Sequence, residues 1–273
     1  MTDRYAVIGN PISHSKSPLI HRLFAAQTGQ DIQYEAIEAP LDGFAETIKK
    51  LKCDGYRGCN ITVPFKLEAW QLAQQLTPRA KLAEAVNTLI FQADEIHGDN
   101  TDGAGLVRDI QRNLGYVLQH KKILLLGAGG AAQGVLYPLL NTRPALLLIS
   151  NRTIDKAIHL KNKAQQISAF TEIDIRAESF SQLTTSFDVV INATSSGLSD
   201  SEIPLPTSVF APDALAYDMM YGRETPFLKF ARERGAQQAD GLGMLVEQAA
   251  ESFEIWRGVT PDSQAVLKQL RQQ

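Results

Sequence analysis

A short apolar strand that runs straight into a glycine turn constrains this chain more than any other feature. The run Lys121-Lys122-Ile123-Leu124-Leu125-Leu126-Gly127-Ala128-Gly129-Gly130-Ala131-Ala132 reads as G-x-G-x-x-A, and a helical pattern from Gln133 to Leu140 follows. Glycines so placed let the backbone turn tightly and approach a pyrophosphate at a helix N-terminus. Such a turn also serves plain packing, but a second strand ending about 20 residues on completes the dinucleotide-binding order. The turn stands mid-chain, with 120 residues ahead of the run. Those residues must serve another purpose.

Apolar strand-like runs alternate with amphipathic helical patterns almost throughout, which predicts a parallel α/β architecture. Strands are expected near Tyr5–Gly9, Ile32–Ile37, Gly58–Thr62 and Ala85–Phe91, with helices near Pro18–Ala26, Leu41–Leu51 and Pro64–Leu76 between them. The turn-rich stretch Glu95 to Gly103 breaks the pattern and marks a domain boundary. A second series follows, with strands near Ile123–Leu126, Ala145–Ile149, Glu172–Ile175, Phe187–Ala193 and Leu215–Asp218. Near the end, Leu242, Leu245, Val246, Ala249, Ala250, Phe253 and Trp256 recur at helical spacing, giving a broad apolar face that needs a partner.

The end of the second strand of the glycine-turn series discriminates between cofactors. NAD enzymes usually carry an acid there for the ribose 2′-hydroxyl. This chain reads Ser150-Asn151-Arg152-Thr153-Ile154-Asp155-Lys156, with Arg152 and Lys156 four apart at the start of a helical pattern. Cations at a helix N-terminus oppose the macrodipole unless an anion joins them, and a 2′-phosphate would be that anion. NADP is therefore preferred over NAD, an ordinary solvated basic pair being the alternative.

Four polar clusters are harder to explain as scaffolding. In His14-Ser15-Lys16-Ser17-Pro18, Ser17 fits a helix N-cap ahead of a proline, whereas Ser15 has no such role. In Asn60-Ile61-Thr62-Val63-Pro64-Phe65-Lys66, alternation puts Asn60 and Thr62 on one face, and Lys66 falls in a first helical turn, unfavourable for a lone cation. Asn87 is an amide inside an apolar run and must find partners if buried. In Asp99-Asn100-Thr101-Asp102-Gly103, Asp102 suits the cap of a helix from Ala104 to Leu114. Each cluster has an ordinary structural explanation when taken alone.

Taken together, and in order, they resemble the motif set of the shikimate dehydrogenase family. The resemblance rests on Ser15-Lys16-Ser17-Pro18, Asn60 to Lys66, Ala85-Val86-Asn87-Thr88, Asn100-Thr101-Asp102-Gly103, Gly127 to Ala131, Asn151-Arg152-Thr153, Asn192-Ala193-Thr194 and Asp240-Gly241-Leu242-Gly243-Met244-Leu245. It implies an NADPH-dependent, reversible reduction of 3-dehydroshikimate to shikimate in aromatic amino-acid biosynthesis. By the same resemblance the fold is a two-domain α/β one. An N-terminal α/β substrate domain (1–101 plus 239–273) is discontinuous, with C-terminal helices returning to it. Residues 102–238 form a Rossmann-like, doubly wound NADP domain.

The resemblance also implies site roles. Ser15, Ser17, Asn60, Thr62, Asn87, Asp102, Tyr221 and Gln248 would bind substrate. Gly127, Gly129, Gly130 and Ala131 would hold the pyrophosphate, and Asn151, Arg152, Thr153 and Lys156 the ribose phosphate. Thr194, Met219 and Gly241 would line the nicotinamide. Lys66 would give a proton to the developing alkoxide, or take it in reverse, with Asp102 orienting it. Lys156 stands where the family commonly has a second arginine; losing the bidentate fork leaves NAD tolerance open. Quinate/shikimate dehydrogenases often carry an acid at the strand end, absent here. A non-catalytic NADP-sensing protein would have lost Lys66 or Asp102, and both are present.

Bulk properties fit a cytoplasmic enzyme with a small-molecule substrate. A net charge of −3 gives no case for nucleic acid or an anionic membrane. The N-terminus lacks the apolar stretch of a signal peptide, and no run is long enough to span a bilayer. Cys53 and Cys59, the only cysteines, match no metal-binding spacing, so no metal and two reduced thiols are expected. The apolar helical faces can all be satisfied within one chain, and a monomer or a homodimer is expected.

Overall fold

The computed structural model describes residues 2–194 and 202–272. The chain forms two compact units, Met1–Gly105 with Leu245–Gln273, and Leu106–Met244. The units divide at 105/106 and 244/245, each inside a continuous helix and a few residues after the expected 101/102 and 238/239.

The first unit is built on a six-stranded sheet of β1 (Asp3–Gly9), β2 (Ile32–Glu38), β3 (Tyr56–Ile61), β4 (Gln75–Leu76), β5 (Thr88–Phe91) and β6 (Ile96–Asp99), in the order β2-β1-β3-β5-β6-β4. β1 runs parallel to β2 and β3, whereas β5 is antiparallel to both β3 and β6. The sheet is therefore mixed rather than wholly parallel. Only four residues, 92 to 95, separate β5 from β6, and Gln92 N–H closes on the Glu95 carbonyl. A parallel connection needs a crossover of a dozen or more residues, so a hairpin is the one solution for this spacing. The stretch expected to be turn throughout thus contains a strand, which its His97, Gly98 and Asp99 concealed.

Helices α1 (Ser17–Thr28), α2 (Phe44–Cys53), α3 (Lys66–Leu72) and α4 (Pro78–Ala83) connect these strands. The helix expected over Pro64–Leu76 is shorter, because Ala73 turns extended and Gln75–Leu76 pair with β6. Tyr5, Ala6, Val7 and Ile8 are all buried, as befits a strand covered on both faces. The core joins Ile8, Ile48, Cys59, Val86 and Leu89, with Phe44 stacked on Phe65 at 4.9 Å.

The second unit contains β7 (Lys122–Leu126), β8 (Leu146–Ser150), β9 (Asp174–Glu178), β10 (Phe187–Asn192), β11 (Phe210–Asp218) and β12 (Gln237–Ala239). All neighbours are parallel, in the order β12-β11-β10-β7-β8-β9. That is the doubly wound order, reversing direction between β7 and β10, where open α/β sheets bind ligands. Helix α5 (Asp102–Arg108) leads in and passes into a π-helical turn at Asp109–Asn113; α6 (Gly130–Asn141), α7 (Ile154–Gln165) and α8 (Pro226–Arg232) follow.

The last helices are α9 (Leu242–Arg257) and α10 (Ser263–Arg271). From Leu245 onward they belong to the first unit. The apolar face of α9 finds its partner there: Trp256 stacks on Tyr5 at 4.7 Å, and Phe253 meets Phe24 edge-on at 5.7 Å. Among the described residues no helix is long and apolar enough to cross a membrane.

Candidate active site

The first unit gathers its polar residues at the C-terminal ends of β1 and β3 and at the start of α5. Lys66 is the first residue of α3, and its ammonium donates to Asp102 Oδ2 at 2.5 Å. The carboxylate supplies the anion that a cation in a first helical turn requires. Asp102 is the first residue of α5 rather than its cap. Its own backbone N–H donates to Asn100 Oδ1 at 3.1 Å, and its carboxylate faces the lysine.

Asn87 completes the pair. It lies just before β5, not within the strand, and is 2 % exposed. Its Oδ1 accepts from the Thr101 backbone N–H at 2.9 Å, so the NH2 group must face the other way. It donates to Asp102 Oδ1 at 2.8 Å and to Thr101 Oγ1 at 2.9 Å, with Gln248 Oε1 at 3.2 Å. Both carboxylate oxygens of Asp102 are therefore held by donors, Lys66 on one and Asn87 on the other. Lys66 keeps 30 % of its side chain exposed and Asp102 15 %, so the pair opens to a ligand.

Asn60, at the end of β3, is buried and fully engaged. Its NH2 group points to the Asn87 carbonyl at 3.1 Å, Ser252 Oγ at 3.0 Å and Thr88 Oγ1 at 3.2 Å, and its Oδ1 accepts from the Tyr34 hydroxyl at 2.7 Å. Thr62 lies beyond the strand end, where its N–H donates to the Ile8 carbonyl and its carbonyl accepts from Phe65 N–H. Ser17 is inside α1 and does not cap it; Lys16 holds the cap position, with no side-chain bond. Ser15 Oγ instead accepts from Ser17 N–H at 3.3 Å, a local turn bond that gives Ser15 a structural role too. Gln248 donates to the Leu245 carbonyl at 2.8 Å along α9. Tyr221 stands in the second unit, its phenol pushed up by burial.

Sequence patterns did not reveal Tyr34, Thr88, Thr101 or Ser252 as participants. Thr88 and Thr101 sit inside the quoted motifs, yet a threonine in an apolar or turn segment reads as scaffolding. Tyr34 and Ser252 come from a strand and a helix far away in sequence. The same is true of Arg79, whose guanidinium grips Asp99 through two bonds of 2.7 Å and reaches Glu251 at 2.9 Å. Burial opposes the charge on Arg79, but its two carboxylate partners outweigh that and raise its pKa.

In the second unit the glycine turn closes β7. Gly127 N–H donates to the Ser150 carbonyl at 2.8 Å, and Gly127 has φ +106°, a conformation L side chains rarely adopt. A Cβ there would also meet the Ala193 carbonyl oxygen at 3.0 Å. Gly129 and Gly130 differ: neither has positive φ, and a Cβ on either would meet nothing within 4 Å. Fold alone does not require glycine at those two positions, whereas a pyrophosphate approaching the backbone at the start of α6 would. Ala131 is exposed beside them, in the first turn.

Asn151 bonds the Thr153 carbonyl through Nδ2 at 2.9 Å, shaping the turn after β8. Thr153 is the N-cap residue of α7. Arg152 thus precedes the helix while Lys156 lies in its first turn, so the two flank the N-terminus instead of sharing a helical face. Both are exposed, and neither forms an ion pair among the described residues. At the ends of β10 and β11, Asn192 Oδ1 accepts from Thr194 N–H and Oγ1, and the Asn192 carbonyl accepts from Met219 N–H. The buried Asp218 carboxylate fixes Asn192, Thr225 and Met220 N–H. Gly241 packs on the Met219 carbonyl, which a Cβ would approach to 2.2 Å. Among the described residues no cluster of three or more metal-ligating side chains occurs.

Comparison with known proteins agrees with this arrangement. The family model described as shikimate dehydrogenase substrate binding domain matches residues 7–89, that of shikimate / quinate 5-dehydrogenase residues 109–199, and the shikimate 5'-dehydrogenase C-terminal domain residues 241–271. The shikimate dehydrogenase (NADP(+)) of Methylobacillus flagellatus is 60% identical, with 98% of this chain and 99% of the relative covered. An Ael1 enzyme from Pseudomonas putida superposes with a TM-score of 0.93 at 49% identity, over 98% of each chain. The shikimate 5-dehydrogenase from Thermus thermophilus, solved in complex with NADP(H) and shikimate, superposes with a TM-score of 0.86 at 30% identity, over 99% of each chain. A lysine–carboxylate pair at the ends of one sheet, a glycine turn on a doubly wound second sheet and full-length similarity converge, and the chain belongs to the shikimate dehydrogenase family.

Proposed function

We propose that this chain interconverts 3-dehydroshikimate and shikimate with NADP(H). NADPH, when bound, supplies the hydride for the 3-keto carbon, and NADP+ receives it in reverse. Lys66 Nζ then delivers a proton to the carbonyl oxygen as it becomes an alkoxide, and takes it back from the hydroxyl in oxidation. Asp102 holds the ammonium by one oxygen and offers the same carboxylate to a substrate hydroxyl. Asn87 orients that carboxylate and, with Ser15, Ser17, Asn60, Thr62, Tyr221 and Gln248, makes up the substrate-binding set. Gly127, Gly129, Gly130 and Ala131 would hold the pyrophosphate. Asn151, Arg152, Thr153 and Lys156 would hold the ribose phosphate, and Thr194, Met219 and Gly241 the nicotinamide.

The observation that carries this reading is the Lys66–Asp102 pair, braced by Asn87 yet still partly open to solvent. NADP over NAD is supported by two cations at the start of α7 that have no ion-pair partner among the described residues, since a 2′-phosphate would neutralise them. A cytosolic monomer or homodimer fits the same reading, as do the free thiols of Cys53 and Cys59. Steady-state oxidation of shikimate and of quinate, each with NADP and with NAD, tests it. The shikimate–NADP combination should give the highest kcat/KM, and a higher value for quinate or for NAD would overturn the assignment.

A further inference from the structure

Tyr34 lies on β2, outside every motif that carries the family resemblance. Its hydroxyl nevertheless reaches the site at 2.7 Å from Asn60 Oδ1. The direction of that bond is fixed by elimination. The other end of the Asn60 amide faces the Asn87 backbone carbonyl, which can only accept, so that end must be the NH2 group. The oxygen is left for Tyr34, and Tyr34 must donate.

Beyond Asn60 the bonds continue without a gap. Its NH2 group meets Ser252 Oγ and Thr88 Oγ1; Thr88 donates to Asn87 Oδ1 at 2.9 Å; and the Asn87 NH2 group holds Asp102 Oδ1. Thr88, Thr101 and Ser252 are each 0 % exposed, so no water replaces a missing partner without disturbing the packing. Losing the Tyr34 donor would take from the buried Asn60 Oδ1 the 2.7 Å bond that fixes its direction, with the His21 ring near but not bonded to it. Rotating the amide to recover would set its oxygen against the Asn87 carbonyl, acceptor to acceptor.

The Tyr34 ring is held independently of its hydroxyl. It stacks on His21 with centroids 4.1 Å apart and planes 7° apart, and Trp256 lies beside both rings, 6.3 Å from Tyr34 and 5.5 Å from His21. Burial pushes the phenol well above its ordinary pKa, so the hydroxyl stays a donor at any working pH. The ring thus supplies rigidity and the hydroxyl supplies direction.

We propose that Tyr34 is a positioning residue for the reaction: by donating to Asn60 it fixes the amide that seats Asn87, and through Asn87 the Asp102 carboxylate. The inference rests on the assigned shikimate–NADP activity. Tyr34→Phe removes one oxygen and leaves the stack with His21. It should raise KM for shikimate about 3- to 10-fold, as expected for one buried hydrogen bond, with KM for NADP unchanged within two-fold. Ser252→Ala, which shortens the chain of bonds at a second point, should move the same constant in the same direction. Combining the two should give less than the product of the single effects, because both act through Asn60.

Wild-type activity with shikimate and NADP is measured first, and its absence would remove the functional reading itself. With that activity present, an unchanged shikimate KM in Tyr34→Phe would overturn the positioning role, as would equal changes in the KM values for shikimate and NADP. A lowered melting temperature with wild-type kinetics would make Tyr34 a structural residue only.

Discussion

Lys66 and Asp102, 36 residues apart, meet at 2.5 Å because one opens α3 and the other opens α5. Two helix N-termini thereby share one ion pair, in which the carboxylate is favourably placed and the lysine is not. The unfavourable member is the one to which the proposed proton transfer is assigned. Its position is maintained by Asp102, whose second oxygen is held by Asn87.

Lys66→Ala should lower kcat by about 10²- to 10⁴-fold, the usual range for loss of a general acid–base, while shikimate binding stays within a few-fold. Steady-state kinetics combined with equilibrium binding of shikimate separates the two quantities. Near-normal turnover would take Lys66 out of the mechanism.

Arg152→Ala should raise KM for NADP far more than for NAD, because only the former brings a 2′-phosphate to the start of α7. Parallel titrations with both cofactors make the comparison. Equal effects on the two would refute the phosphate assignment.

The glycines of the turn should separate into two kinds. Gly127→Ala places a Cβ at φ +106° beside the Ala193 carbonyl, and should destabilise the protein by about 1–3 kcal/mol. Gly130→Val adds a side chain into open space at the start of α6, where it should leave the melting temperature almost unchanged and weaken NADP binding at least ten-fold, about 1.4 kcal/mol. Calorimetry and cofactor titration of both variants check this contrast. A Gly130→Val protein with normal cofactor affinity would mean that no phosphate approaches there.

His21 gives the first unit a specific sensitivity to acid. It is 0 % exposed, stacked on Tyr34, and among the described residues neither ring nitrogen has a hydrogen-bond partner; the Asn60 amide is near without the geometry of a bond. Burial holds its pKa down to about 3. An unfolded histidine takes up a proton below about 6.5, whereas the native one stays neutral until about 3. Stability is therefore lost as pH falls through that window, by about 2 kcal/mol at pH 5. Urea unfolding followed by tryptophan fluorescence at pH 7.5 and pH 5 measures it, since Trp70 and Trp256 both lie in the first unit. His21→Phe should unfold with a shallower dependence on pH across the same interval. An unchanged dependence would place the acid sensitivity elsewhere.

Much of the second unit is legible in the sequence, for a simple physical reason. Parallel strands buried on both faces must be near-continuous apolar runs, and Ile123–Leu126 and Phe187–Ala193 are such runs. Gly127 is legible because a strand-to-helix turn at positive φ leaves few alternatives. The β5–β6 hairpin is not, since His97, Gly98 and Asp99 carry no strand propensity and are held by their ladder and by Arg79. The exchange of Ser17 and Lys16 at the cap of α1 likewise depends on one residue of register, which local preference does not resolve.

By itself the sequence determined most of the strands and helices, the glycine turn after β7, the basic residues after β8 and the candidacy of Lys66, Asn87 and Asp102, because each is written in local spacing or in an ordered motif. Only the tertiary structure decided how those side chains are held. The Asp102 carboxylate could have capped a helix, but Asp102 is the first helical residue instead and its carboxylate is held by Lys66 and Asn87. Asn60 reads in sequence as a polar residue at a strand end, and both ends of its amide are fixed because Tyr34 and Ser252 arrive from β2 and α9. Hydrogen-bond direction is a property of what lies across the gap. That is fixed by packing between distant segments, which no local pattern records.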